Sequence, residues 1–234
     1  MKKKSGYDHI FIDLDKTLWD FEKNSLETFR EIFSRYGIYK RGIESLELFL
    51  VEYIRINDML WGLYRKNQIK KEVLNIRRFE MTLNEFGIDD LILATHIAED
   101  YVNLSPLKNN LFPDTRNALD YLKGSYPLHI VTNGFEEVQQ KKLDVSDLRK
   151  YFTTITTSEE AGVKKPEPGI FQLALKKADA DPKNSLMIGD DLLVDMVGAT
   201  RMGMDTMYFN PQKTSHRESV TYEIASWKDV QNFL

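Results

Sequence analysis

The 234-residue chain has no cysteine and only four histidines. Disulfides and thiolate metal sites are therefore excluded, and a histidine-rich metal cluster has little to draw on. No window approaches roughly 18 uninterrupted apolar residues, so the sequence offers no membrane span, and its N-terminal stretch lacks the apolar core of a secretion signal. Basic charge is not in excess: the formal net charge is −4, with no dense basic stripe to track a nucleic-acid backbone. The run Lys2-Lys3-Lys4 is short and terminal, and reads as a solubilising end. Repeats and low-complexity linkers are also missing. The expectation is a cytoplasmic protein with neither nucleic-acid nor membrane partners, present as one copy or a pair. What remains is 42% hydrophobic and 29% charged, ordinary for a globular chain long enough for one large domain or two modest ones.

Periodicity divides the chain. After an apolar run at residues 9–12, the stretch from about 22 to 104 reads as helices. Leu26, Phe29, Phe33 and Tyr36 recur at helical spacing behind Asn24-Ser25, which reads as an N-cap, and Gly37 closes the helix. Further helices are expected over about 45–66, 70–86 and 89–103. From Pro113 onward, strand-like runs alternate with helices: "LHIVT" (128–132), "FTTITT" (152–157), "SLMIG" (185–189), "TMYFN" (206–210) and "YEIAS" (222–226). Such alternation predicts an α/β fold, a doubly wound and mostly parallel sheet, with an all-helical insertion after its first strand. Asp13, Thr132 and Asp190 then fall at the C-terminal ends of three strands, where open α/β sheets bind ligands.

The stretch "HIFIDLDKTLWDF" (9–21) presents a puzzle, because a buried apolar run leads directly into Asp13 and Asp15. A carboxylate is costly to bury unless it is paired or binds a metal. Period-two geometry would set the two on one side, with Cα atoms roughly 6 to 7 Å apart. A calcium-binding EF-hand loop is ruled out, since its sixth and twelfth positions would be Leu18 and Asn24. Solvated acids at a strand end are the plain alternative. Against that alternative stand three later stretches. "GDDLLVD" (189–195) brings Asp190, Asp191 and Asp195 to another strand end, although Asp191 also fits an ordinary helix N-cap. Carboxylates gathered without Cys or His favour a hard cation, above all Mg²⁺. "VTNGF" (131–135) offers a hydroxyl, an amide and a glycine where a strand turns into a helix, and "GVKKPEPGIF" (162–171) supplies a cation in Lys165, with Lys164 as a solvated neighbour.

In this order, "DLDKT", "TNG", "KKPEPGIF" and "GDDLLVD" resemble the four signatures of the haloacid dehalogenase (HAD) superfamily of phosphohydrolases. The resemblance spans nearly the whole chain and implies an α/β core over residues 1–17 and 107–234, with a helical type-1 cap over 18–106. It further implies Asp13 as nucleophile, forming an aspartyl phosphate, and Asp15 as the acid and base for the leaving group and water. Mg²⁺ would be held by Asp13, the Asp15 backbone carbonyl and Asp190, with Asp195 in support. Thr132 and Lys165, with backbone N–H groups near Asn133 and Gly134, would bind and orient the phosphoryl group. Mg²⁺ and Lys165 together would offset the charge of Asp13 and Asp15. Asp15 itself argues against the dehalogenase branch, which keeps no acid two positions after its nucleophile.

A narrower likeness concerns the substrate. The stretch 57–79, with "WDF", "TNGFEEVQQ" and "SEEAGVKKP", resembles the bacterial pyrimidine 5'-nucleotidases. It implies a nucleoside 5'-monophosphate, with Trp61, Tyr64, Arg65, Arg78 and Phe79 as contacts for base or ribose. For Trp61 and Phe79, packing within the helices is the competing reading. Another small phosphorylated metabolite such as a sugar phosphate or phosphoglycolate, a phosphomutase activity, and a non-catalytic phosphoryl-binding role are the other readings. Lys16 adds a cation inside the first motif at a variable position.

Overall fold

The computed structural model describes residues 6–234, and the Lys2-Lys3-Lys4 run lies outside the described residues. The chain divides into two compact units, Met1–Phe21 with Asn109–Leu234, and Glu22–Lys108. In the first unit, strands β1 (His9–Ile12), β2 (Leu128–Thr132), β3 (Phe152–Thr157), β4 (Ser185–Gly189), β5 (Asp205–Phe209) and β6 (Tyr222–Ile224) form one sheet in the order β3-β2-β1-β4-β5-β6. Every pairing is parallel. This is the doubly wound order, whose direction reverses beside β1.

The central strands are continuous apolar runs because both of their faces are covered. Ile10, Ile12, Leu128, Ile130, Leu186 and Ile188 form one core, with Leu119 and Leu122 of α5 (Thr115–Lys123). Phe11, Val131 and Met187 point to the other face. There they meet Ile170, Phe171 and Ala174 of α8 (Pro168–Ala178) and Ala199 of α9 (Val197–Arg201). Period two along β1 thus sends alternate residues into separate cores. α6 (Glu136–Val145) follows β2, and the short α7 (Ser158–Ala161) follows β3. The expected helix after β4 begins as a wider π-type turn over Leu192–Met196 before becoming α9.

The second unit packs α1 (Phe21–Tyr36), α2 (Leu46–Arg65), α3 (Lys71–Glu85) and α4 (Leu91–Leu104) around Phe29, Phe33, Phe49, Tyr53, Phe79 and Tyr101. Ser45 and Asp90 cap α2 and α4 by accepting from Leu48 N and Leu93 N. Gly37 ends α1 at φ 57°, a left-handed conformation that favours glycine. One expectation fails here. Asn24 and Ser25 do not cap α1, which begins at Phe21; both are buried, and Ser25 Oγ lies 2.8 Å from the Tyr101 hydroxyl. Their polar groups mark a satisfied interior rather than a helix end. Among the described residues, no helix is long and apolar enough to cross a membrane.

Candidate active site

β1 ends at Ile12, and Asp13 follows with its N–H still donating to Ile188 O at 2.9 Å, so the sheet itself fixes the carboxylate's origin. Asp190 stands just beyond β4, and Asp195 lies one turn further on. Asp13, Asp190 and Asp195 each bring a carboxylate oxygen within 4.8 Å of the other two. Lys165, 2% exposed, sits among them. Its Nζ donates to Asp13 Oδ1 (2.5 Å), Asp195 Oδ1 (2.7 Å) and the Val131 carbonyl (2.9 Å), using all three protons of the ammonium.

Lys165 alone does not balance the buried Asp13 and Asp195 together with the part-buried Asp190, on which the Lys16 charge also acts. Burial, together with the neighbouring acids, pushes the Asp13 carboxyl up to about 7 even though Lys165 opposes the shift. Asp190 and Asp195 are likewise raised, foremost by burial. Burial also works against the charge on Lys165, but Asp13 and Asp195 outweigh it and hold the ammonium above its usual range. The fully buried Thr17 donates to Asp190 Oδ1 at 3.1 Å, and its hydroxyl lies 3.5 Å from Asp13 Oδ2. Asp191 caps the π-type turn by accepting from Leu193 N and Val194 N, while its own N–H donates to Asp195 Oδ2. Gly189 makes room for this, because a Cβ there would overlap the Asp195 carboxylate.

Asp15 departs from the sequence expectation. Its charge still bears on Asp13, but the lysine that pairs with it is not Lys165, whose protons go to Asp13, Asp195 and the Val131 carbonyl. Strand geometry stops at Ile12, and Lys16 takes a left-handed φ of 61° immediately after Asp15. The Asp15 carboxylate instead bonds two residues of α6: Lys142 Nζ donates to Oδ1, and Gln139 Nε2 donates to Oδ2 at 2.9 Å. Each acid of the pair thus has its own cation. Lys142 and Gln139 were not singled out from the sequence. Gln139 lies within the stretch "TNGFEEVQQ", where no role attaches to it, and Lys142 shares its helix face three residues on.

Thr132 ends β2. Its hydroxyl donates to Gln139 Oε1 (3.2 Å) and accepts from the Gly134 N–H (3.1 Å). The Asn133 side chain bonds the backbone of Lys165 at both its N–H and its carbonyl. Within the helical unit, Phe79 is fully buried among the rings of Phe29, Tyr53 and Tyr101, so for this residue packing prevails over a surface role. Arg78, also buried, bonds Tyr53, Asn57 and Asn75 and stacks on Phe79 and Tyr101. Trp61 and Arg65 are half-buried; Tyr64 is buried, with the Trp61 ring edge-on at 5.5 Å.

The chain is similar to several known hydrolases. The pyrimidine 5'-nucleotidase YjjG of Escherichia coli is 28% identical over 231 residues, covering 97% of this chain and 98% of that one. A glyceraldehyde 3-phosphate phosphatase of Methanopyrus kandleri is 33% identical over 202 residues, 85% of this chain and 82% of that one. Among solved structures, the HAD-hydrolase YfnB of Bacillus subtilis bound to magnesium superposes with a TM-score of 0.86 at 25% identity, over 97% of each chain. The haloacid dehalogenase-like hydrolase family matches residues 7–203. The chain belongs to that family of hydrolases.

Proposed function

We propose that this hydrolase is a Mg²⁺-dependent phosphomonoesterase working through an aspartyl phosphate on Asp13, with pyrimidine nucleoside 5'-monophosphates as its preferred substrates. The observation that carries the reading is the buried meeting of Asp13 with Lys165, Asp190 and Asp195 at the end of β1. The near full-length likeness to a pyrimidine nucleotidase supports the substrate class.

The donor set suits the ion. It consists of oxygens only, with two buried carboxylates and a third part-buried one gathered at Lys165. Asp13 and Asp190 would hold Mg²⁺ with the Asp15 carbonyl. Asp195, already engaged by Lys165 and Asp191 N–H, would support it indirectly. When bound, the ion offsets the acids' mutual repulsion and draws charge from the phosphoryl oxygens.

In the first step an Asp13 oxygen attacks phosphorus, the bond from phosphorus to the leaving oxygen breaks, and that oxygen takes a proton from Asp15. In the second, the Asp15 carboxylate takes a proton from water as it attacks phosphorus. The bond to Asp13 breaks, and inorganic phosphate leaves. Lys165 and Thr132 orient the phosphoryl group, so positioning and electrostatics supply most of the rate.

The test is phosphate release over UMP, dUMP, dTMP, purine nucleotides, sugar phosphates and phosphoglycolate. Pyrimidine nucleotides are expected to lead. A tenfold lead by sugar phosphates or phosphoglycolate would overturn the nucleotidase assignment and favour the chemistry of the Methanopyrus relative. Formation of an isomer instead of free phosphate would identify a phosphomutase. Acid-quenched wild type should carry a hydroxylamine-labile phosphoryl group that Asp13→Asn lacks; full turnover by Asp13→Asn would sink the mechanism.

A further inference from the structure

Asp15 is held from α6 by a continuous, directed set of hydrogen bonds. The Gly134 N–H donates to Thr132 Oγ1, the Thr132 hydroxyl donates to Gln139 Oε1, and Gln139 Nε2 donates to Asp15 Oδ2. The Gln139 amide thus bridges the two, its oxygen accepting from Thr132 and its nitrogen donating to Asp15. Lys142 closes the other side of the carboxylate at Oδ1. Lys142 is only 4% exposed and its ammonium lies 3.8 Å from the centroid of the fully buried Trp19 ring. A lysine is rarely buried without a definite partner, and this one has two: a carboxylate and an aromatic face. Space for the arrangement is reserved in the backbone, because a Cβ on Gly134 would overlap the Gln139 carboxamide.

We infer that Lys142 and Gln139 are positioning residues for proton transfer: they fix the Asp15 carboxyl group from α6 and, through Thr132, tie its placement to the loop that grips the phosphoryl group. The inference rests on the reading of Asp15 as the proton donor to the leaving group. An anchored donor should matter most where the leaving oxygen needs its proton. An alkoxide leaving group depends on that delivery, whereas a nitrophenolate departs without it. A merely structural Lys142 would affect both equally.

The experiment compares the first-turnover release of the leaving group from UMP, or from the best alkyl monoester in the substrate panel, with the p-nitrophenolate burst from p-nitrophenyl phosphate. Lys142→Met should slow the first by about 100-fold, within the range typical of general-acid catalysis, and change the second less than about threefold. Lys142→Arg, which keeps a charged donor, should recover most of the loss. Asp15→Asn is the control that separates the two ideas. If Asp15→Asn releases the alcohol at the wild-type rate, the assignment of Asp15 as donor fails. If Asp15→Asn shows the split and Lys142→Met slows both substrates alike, or neither, the assignment stands and the positioning role is overturned. Should Lys142→Met fail to fold, Lys142→Gln carries the same comparison.

Discussion

Asn133 and Lys165 are joined at two points. The Lys165 N–H donates to Asn133 Oδ1 at 2.7 Å, and Asn133 Nδ2 donates to the Lys165 carbonyl at 3.0 Å. The backbone carrying the buried ammonium is thereby registered against the end of β2, the strand that also delivers Thr132 and the Val131 carbonyl. Asn133→Ala should therefore impair turnover more than folding. Two lost hydrogen bonds cost about 1 kcal/mol each, while misplacing a catalytic group by an ångström can cost roughly 100-fold in rate. Steady-state kinetics beside a denaturant titration would check this. Equal, modest effects on both would count against a positioning role for the clasp.

Metal removal gives a second expectation. Three carboxylates gathered round one ammonium should make the folded protein bind a divalent ion that the unfolded chain does not. Chelation with EDTA should abolish phosphate release, and Mg²⁺ should restore it. At 100 times its dissociation constant the ion should add about 2.7 kcal/mol of stability, read as a rise in melting temperature. Asp190→Asn should shrink that rise.

A third expectation concerns pH. His9 Nδ1 and His129 Nε2 lie 3.1 Å apart across β1 and β2, with room for one proton between them, and His129 Nδ1 meets Thr154 Oγ1 at 2.8 Å. Burial, then the neighbouring His9, holds His129 down to about 4 from the usual 6.5. Between those values the unfolded chain binds a proton that the folded chain refuses. Stability from this group is complete above pH 6.5 and is lost as pH falls toward 4, by on the order of 3 kcal/mol. His129→Gln should flatten the slope between pH 7 and 5 in denaturant melts. An unchanged slope would assign it to other groups.

The helical unit supplies the fourth. Phe79 is enclosed by three aromatic rings. Phe79→Ala should cost about 3–5 kcal/mol while leaving the ranking of substrates intact. A changed ranking at near-native stability would return Phe79 to a role in recognition.

These residues also show what was readable beforehand. The run Ile10-Phe11-Ile12 ending in Asp13 announced a buried strand delivering a carboxylate, because no ordinary core tolerates that acid without a partner. The ends of β2 and β4 followed from the same grammar. Lys142 and Gln139 stayed hidden because polar residues on a helix normally denote a solvated face. Their burial depends on Asp15 turning away from the strand at Lys16, a backbone event that no periodicity encodes. Asn24-Ser25 misled for the opposite reason: small polar residues favour caps, and here Ser25 satisfies a tyrosine inside the helical unit.

The two places where the chain leaves and re-enters the α/β unit are themselves bonded. Asp20 N donates to Asn110 O, Phe112 N donates to Leu18 O, and Trp19 bridges Leu111. A short antiparallel seam therefore anchors the insertion at its root, whatever its length or composition, since lengthening a loop whose ends are already joined adds little entropic cost. In evolutionary terms the seam acts as a socket. A recombination event bounded by it would exchange residues 22–108 as one cassette and hand the recipient an undamaged set of carboxylates, a route by which one phosphoryl-transfer centre could be passed among enzymes of differing taste.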